Sequence, residues 1–318
     1  MHRRLWVALV LAACTTGRPA LDGGHRAEAG GPPPVRFVAF GDQGRGNDEQ
    51  RRVGQGVTKV CAEKGCDFVL LLGDNLYPSG ASSVTDPLWQ TAFVEPYAGV
   101  DAGFYATLGN HDYGAGGAGT DFGHEQFEID YSAVNPKWHL PAPHYAFTSG
   151  NAELFSTDTN RSKFGLDQAT RASFEAWLTA SKATWKIAFG HHPYKSNGRH
   201  GNAGKHDGQT TAPGNGSGVK AFIEDEGCGR ADIYLCGHDH VREWLTSTCT
   251  RPGSSINTEL IISGGGATMT ELDPAATNAD YWHADTSGFF YGLIEGRTFT
   301  GSFYDADGRL EFTRTFTK

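Results

Sequence analysis

The sequence predicts an α/β domain, and three observations carry that prediction. Five short apolar runs are each followed at once by Gly and then by a polar, ligand-type residue. Segments with helical apolar spacing lie between these runs. Beyond Glu259 the pattern changes to strands and turns. Buried parallel strands read as short continuous apolar runs, and their alternation with helices implies an α/β architecture.

Taken in order, Val35–Phe40 precedes Gly41-Asp42, Phe68–Leu72 precedes Gly73-Asp74, and Phe104–Leu108 precedes Gly109-Asn110. Trp185–Phe189 precedes Gly190-His191, and Ile233–Cys236 precedes Gly237-His238. Asp48–Lys64 carries Val53, Val57, Val60 and Cys61 at helical spacing. Asp167–Lys182 carries Phe174, Trp177 and Leu178, and Asp86–Val94 is a shorter helical candidate. Leu260–Ser263, Gly288–Glu295, Thr298–Tyr304 and Leu310–Phe316 read as strands, with Asp305–Gly308 as a hairpin loop. These late strands suit a second sheet that completes a β-sandwich. No linker interrupts residues 35–318, so one domain is expected there.

The 318 residues are 38% apolar and 20% charged, which supports a sizeable core and excludes wholesale disorder. A formal net charge of −9 argues against nucleic-acid binding through a basic surface. The 43 Gly show no collagen-like period, so the excess belongs to loops. The 13 His are more suggestive, because His is both a metal ligand and a general acid/base.

Residues 2–4 are His-Arg-Arg, followed by the apolar run Leu5–Ala13 and then Cys14. A basic start, a short apolar run and small residues before a cut site describe a secretory signal. Leu11-Ala12-Ala13-Cys14 resembles the bacterial lipobox, in which the Cys is lipidated. We therefore expect a lipoprotein signal peptide over 1–13, a flexible tether over 14–34 rich in Gly, Pro and Ala, and a folded domain over 35–318. The expected location is outside the inner membrane, in the periplasm or at the cell surface, with the lipid on Cys14 as the membrane contact. Export permits disulfides. Cys236 ends an apolar run and reads as a buried thiol, which leaves Cys61–Cys66 and Cys228–Cys249 as the expected pairs.

Asp42, Asp74, Asn110, His191, His238 and His240 stand at the five strand ends, where α/β sheets gather functional residues. Carboxylates, an amide and imidazoles suit first-row metals better than soft thiolate sites do. Asp74 has two oxygens with which to bridge two ions. Two ions about 3.5–4 Å apart clamp an in-line displacement at phosphorus and activate water near neutral pH. On extended chain, the His-x-His spacing of 238 and 240 directs both rings to one side.

Gly41-Asp42, Gly73-Asp74-Asn75, Gly109-Asn110-His111-Asp112, Gly190-His191 and Gly237-His238-Asp239-His240 resemble the five ordered motifs of calcineurin-like metallophosphoesterases. The resemblance covers residues 35–318 and implies a four-layer α/β/β/α sandwich with two mixed sheets. Most of that superfamily has Asp-x-His in the first motif, and here Gly44 replaces the His. The second motif instead adds Tyr77, three residues after Asp74. That Tyr resembles the one in purple acid phosphatases, whose phenolate binds Fe(III). The closest likeness is to the small tartrate-resistant type, through Gly190-His191-His192-Pro193 followed by His200-Gly201, Lys137–Pro143 and Ser156–Thr159. No extra N-terminal domain of the larger plant type is expected.

The resemblance implies that Asp42, Asp74, Tyr77 and His240 hold Fe(III). It implies that Asp74, Asn110, His191 and His238 hold a divalent Fe, Zn or Mn. His111 and His200 would face the substrate, orienting phosphate and protonating the leaving oxygen. No ligand role is expected for His192. Gln43 departs from a Trp common in this type. Gly201–Gly218, with 6 Gly in 18 residues and with His206 inside it, looks like an insertion. We expect it to be a mobile flap over the metal site. Gly114–Gly119 is a second flexible loop, expected at the substrate mouth.

The implied activity is acid phosphatase: hydrolysis of small phosphomonoesters by in-line attack of a metal-bound hydroxide, by a monomer. A phosphodiesterase on the same centre is one alternative. A non-catalytic surface lipoprotein that retains the fold is another.

Overall fold

A computed structural model of the chain describes residues 32–272 and 278–318. The expected signal peptide and residues 14–31 of the tether lie outside them. Among the described residues the first seven strands are β1 (Val35–Phe40), β2 (Phe68–Leu71), β3 (Gly103–Ala106), β4 (Trp138–His139), β5 (Tyr145–Ser149), β6 (Ala152–Ser156) and β7 (Trp185–Phe189). The other seven are β8 (Ile233–Cys236), β9 (Arg242–Leu245), β10 (Glu259–Ser263), β11 (Ala279–His283), β12 (Gly288–Glu295), β13 (Thr298–Asp305) and β14 (Leu310–Thr317).

They form two mixed sheets of seven strands, ordered β14-β13-β12-β1-β2-β3-β4 and β11-β9-β10-β8-β7-β6-β5. In the first, β1 to β4 run parallel and β12 to β14 add an antiparallel wing. In the second, β6, β7, β8 and β10 are parallel. One expectation is corrected here. The late strands do not build a sheet of their own. Instead β12 pairs with β1 and extends the first sheet, while β10 and β11 join the second. A strand's partner is set by long-range packing, which its own apolar pattern does not encode.

Alternation along the strands sorts the layers. Leu235 and Ile261 join Leu70, Phe290 and Trp244 in the core between the sheets. Their neighbours Tyr234, Cys236, Leu260 and Ile262 point the other way. That outer face is covered by Phe174 and Leu178 of α4 (Gln168–Ala180) and by Val219 and Phe222 of α5 (Ser217–Phe222). On the outer face of the first sheet lies α1 (Asp48–Lys64), which buries Val53, Val57 and Val60. The result is the four-layer sandwich. The N-terminus of α1 is fixed by Asn47, whose side chain accepts a 2.8 Å bond from Gln50 N, with Asp48 and Glu49 in the first turn. The short helices α2 (Gln126–Tyr131) and α3 (Thr159–Lys163) lie in the connections. The shorter helix expected at Asp86–Val94 forms over residues 88–94, with Gln90–Val94 wound as a wider π turn. No described helix is long and apolar enough to cross a membrane.

Both expected disulfides are present, Cys61–Cys66 and Cys228–Cys249, and Cys236 is free and buried. The second spans 21 residues. Replacing Cys228 and Cys249 together by Ser should lower the unfolding free energy by about 3 kcal/mol, from the chain-entropy cost of that loop. The shift in denaturant midpoint at constant m checks it.

Candidate dinuclear metal centre

The carboxyl ends of β1, β2 and β3 in one sheet meet those of β7 and β8 in the other. Cross-sheet bonds fix the meeting: Gly41 N donates to Ser263 O at 2.8 Å, and Ser263 Oγ to Ala39 O at 2.9 Å. Asp42, Asp74 and His238 follow their strands with left-handed backbone, φ 62°, 54° and 69°. Side-chain-bearing residues rarely hold this region, at a cost of roughly 1–3 kcal/mol each. The glycines beside them leave room for the ligands. A Cβ on Gly109 would stand 2.2 Å from Asp74 Oδ1.

Seven predicted ligands come together as two half-sites that share Asp74. In the first, Tyr77 Oη lies 2.9 Å from Asp74 Oδ2, 3.3 Å from Asp42 Oδ1 and 3.3 Å from His240 Nε2. In the second, His191 Nε2 lies 3.3 Å from Asp74 Oδ1, 3.1 Å from Asn110 Oδ1 and 3.2 Å from His238 Nδ1. Each oxygen of Asp74 thus faces a different half-site. Donor atoms bound side by side to one ion at ~2.1 Å stand about 3 Å apart, so these spacings fit a metal in each half-site. The outer nitrogens are also spoken for. His191 Nδ1 donates to Leu72 O at 2.9 Å, and His240 Nδ1 lies 2.9 Å from Thr268 Oγ1. Such partners fix the tautomer that turns Nε2 inward as a lone pair.

The extended run expected through His238–His240 is not formed. Left-handed His238 turns the chain, with Asp239 N bonded to Gly237 O and Val241 N to Asp239 O. The two rings therefore part, one to each half-site.

The electrostatics also call for cations. Asp42 and Asp74 are 0% and 2% exposed, and their ion-pair partners among the described residues are all imidazoles. Burial works to raise the Asp74 carboxyl, but the charges and bonds of His191 and His111 hold it well below the usual range. Burial works to lower His191, yet Asp74 and Asp42 lift it to about 9. Asp42 likewise raises His240 against its burial. Burial, then Asp74 and Asp42, push the Tyr77 phenol well above its ordinary value. Arg45, 3.9 Å over the Tyr77 ring, acts the other way. Protons on His191 and His240 supply the positive charge that metal ions would supply.

Gly44 explains the missing His. A Cβ there would lie 1.7 Å from Asn75 O, and its carbonyl accepts a 2.8 Å bond from Tyr77 N. The position has no room for a side chain and instead anchors Tyr77.

Several supporting residues carried no assigned role at the sequence level. Asp112 ties the second and third motifs together, accepting from Gly109 N at 2.7 Å and Asn75 N at 2.8 Å. Asn75 in turn donates to Asp112 and to buried Glu128. Asp112 was quoted in a motif, but only the folded chain brings Glu128 to it. Asp239 accepts from His200 N at 2.7 Å and so sets the loop that bears His200.

His111 and His200 flank the centre. His111 Nδ1 donates to Pro78 O at 2.6 Å, and its Nε2 lies 3.9 Å from Asp74 Oδ2. His200 Nδ1 donates to Asp207 Oδ1 at 2.7 Å, and its ring stacks 4.2 Å from that of His238. The segment Gly201–Gly218 packs against the site. His206 is buried 5.9 Å from the His238 ring, and Asp207 grips His200. His192 takes no place in either half-site; its ring is buried 4.4 Å from His238 and bonds to Thr159. The Gly114–Gly119 loop wraps His111, and Gly117 O accepts from Asn110 Nδ2 at 2.8 Å.

The fold and this site define a class, the two-sheet phosphoesterases. The family model described as calcineurin-like phosphoesterase matches residues 35–242, and the chain belongs to that family. Among curated relatives, Purple acid phosphatase 3 of Arabidopsis thaliana is 27% identical over 87% of this chain and 76% of its own. Tartrate-resistant acid phosphatase type 5 of Oryctolagus cuniculus is 26% identical over 89% and 91%. Among solved structures, GAP50, the anchor in the inner membrane complex of Plasmodium, is 16% identical over 89% of each chain with a TM-score of 0.69. That last likeness is one of fold.

Two expectations follow from this geometry. Gly44→Ala should cost about 3 kcal/mol or more by overpacking and displace Tyr77; thermal unfolding reads the loss. The metal-free chain should hold the His191 proton up to about pH 9. Its pairing with Asp74 then stabilises the fold fully below the unfolded pKa of ~6.5 and fades as pH rises through about 9. A cation must displace that proton, so metal affinity should climb with pH over the same window, with net proton release. Titration calorimetry in buffers of different ionisation enthalpy measures the release.

Proposed function

We propose that this chain is a dinuclear-metal acid phosphatase of the purple, tartrate-resistant type, acting on small phosphomonoesters. The observation that carries the reading is Asp74, with one oxygen turned to each of two complete half-sites. The first half-site, Asp42, Asp74, Tyr77 and His240, suits Fe(III), because a phenolate is a hard anionic donor. The second, Asp74, Asn110, His191 and His238, suits a divalent Fe, Zn or Mn. When bound, the two ions would supply Lewis acidity and an activated water for in-line displacement at phosphorus.

The protein's own groups do the rest. His111 is locked through Nδ1 to Pro78 O, so Nε2 is the atom left to meet a phosphate oxygen. Asp207 holds His200 through Nδ1, which leaves Nε2 to give a proton to the leaving oxygen. Asp239 sets the backbone of that same His.

The proposal extends to location and organisation. Residues 1–13 would be a lipoprotein signal, 14–34 a tether from lipidated Cys14, and 35–318 the catalytic domain. Two disulfides fit an oxidising compartment outside the inner membrane. The enzyme would act there as a monomer on phosphorylated metabolites.

Purified protein should hydrolyse p-nitrophenyl phosphate faster than bis-p-nitrophenyl phosphate; the reverse order would make it a diesterase. His200→Ala should lower kcat by about 10²–10⁴-fold, and less for good leaving groups than for alkyl ones. A visible charge-transfer band should vanish in Tyr77→Phe. An active, colourless protein without iron would overturn the iron assignment.

A further inference from the structure

A group that protonates the leaving oxygen must face the room that the leaving group occupies. On the His111 side Gly117 packs close, and a Cβ on it would stand 2.3 Å from His111 Cε1. On the His200 side a cavity of about 730 Å³ opens, with His200 itself in its wall. Two further basic residues line it, Arg199 and Lys205, the second supplied by the Gly201–Gly218 segment. Among the described lining residues exposed Glu271 is the only acid, and Leu272 is the largest apolar group.

The chain carries 36 acidic residues against 27 basic ones. Most of its arginines near the surface have found a carboxylate, as with Arg52 and Asp307, Arg230 and Glu175, or Arg314 and Asp280. Among the described residues Arg199 and Lys205 have no ion pair or side-chain hydrogen bond, although they sit in an acidic protein. Their loop is firmly set. Ser196 N donates to Asn202 Oδ1 at 3.0 Å, Gly198 N to Ser196 Oγ at 2.9 Å, and Asp207 N to His200 O at 2.9 Å. Unpaired cations on an ordered wall beside a leaving-group acid make a receptor for negative charge.

We propose that this cavity is a leaving-group subsite that selects phosphomonoesters whose leaving group is itself acidic, with Arg199 and Lys205 as the selecting residues. The acidic group is a second phosphate or a carboxylate. The inference rests on the phosphatase reading above and goes beyond it in naming the substrate class.

The test compares matched esters: fructose 1,6-bisphosphate against fructose 6-phosphate, and 3-phosphoglycerate against glycerol 3-phosphate. Phosphocholine supplies a cationic leaving group. The full-length, metal-loaded protein should prefer the acidic member of at least one pair by roughly tenfold in kcat/KM, as expected for two charge contacts. Which pair responds distinguishes phosphate from carboxylate. Arg199→Ser with Lys205→Ser should bring that ratio close to one. Arg199→Glu with Lys205→Glu should turn the preference towards phosphocholine. A wild-type ratio near one, or a ratio that neither double variant changes, overturns the subsite while leaving the phosphatase reading intact. Failure to hydrolyse any of the five esters overturns both.

Discussion

The buried carboxylate of Asp74 is the constraint around which the rest of the molecule is arranged. Among the described residues it has no Lys or Arg partner, it sits on left-handed backbone, and its two oxygens face two different donor groups. A carboxylate in that position is tolerable only beside compensating positive charge. In the metal-free chain His191 provides it, at the expense of holding a proton well past neutrality. The neighbouring loops follow from the same need. Gly109 must lack a side chain because Asp74 Oδ1 fills its space. Asp112 clamps the second and third motifs, together with the bond from His111 N to Asp74 Oδ1.

The two-sheet sandwich serves this constraint by bringing strand ends together from opposite sides. Asp42, Asp74 and Asn110 arrive from the first sheet, and His191 and His238 from the second. Each half-site therefore contains donors from both sheets, and neither sheet could build one alone. The antiparallel wing of β12 to β14 contributes no ligand; it buries Phe290, Phe299 and Phe303 between the layers and so holds β1 in place. The exchange of a first-motif His for Tyr77 is also a packing matter. Backbone of the second motif occupies the space beside Gly44, so the fourth donor has to come from that motif.

How much of this was legible in the sequence depends on the range of the interaction concerned. Five of the seven positions that the structure gathers, Asp42, Asp74, Asn110, His191 and His238, stand two residues beyond an apolar run, a local signal, whereas Tyr77 was legible only through the family resemblance. Both disulfides and the free Cys236 followed from local context. The turn at His238 could not be read, since its backbone is held by Asp42, whose Oδ2 accepts from His238 N across 196 residues. The roles of Asp112 and Asp239 were hidden for the same reason: Asp112 acts on Asn75, and Asp239 on His200, both on other elements. The pairing of β12 with β1 is likewise a tertiary choice. The segment Gly201–Gly218 reads as a loose loop from its Gly content, but His206, at 1% exposure, anchors it among other imidazoles.

That segment bears on a tension in the protein as a whole. A chain of net charge −9 should repel phosphate esters, which are themselves anions. Surface charges farther than about 8 Å are largely screened at physiological salt, so only nearby groups decide the matter. Near the site the balance is different. Arg45 lies over Tyr77, and Arg199 and Lys205 line the cavity beside His200, none of them ion-paired to a carboxylate among the described residues. By contrast Asp207, the nearest acid of the inserted segment, is committed to His200. Against the single acid described in the cavity wall, Glu271, these three cations make the surroundings of His200 more basic than the chain as a whole. With the subsite proposed above, the acidic exterior would favour solubility, while the bases at the mouth would set which anions are drawn in.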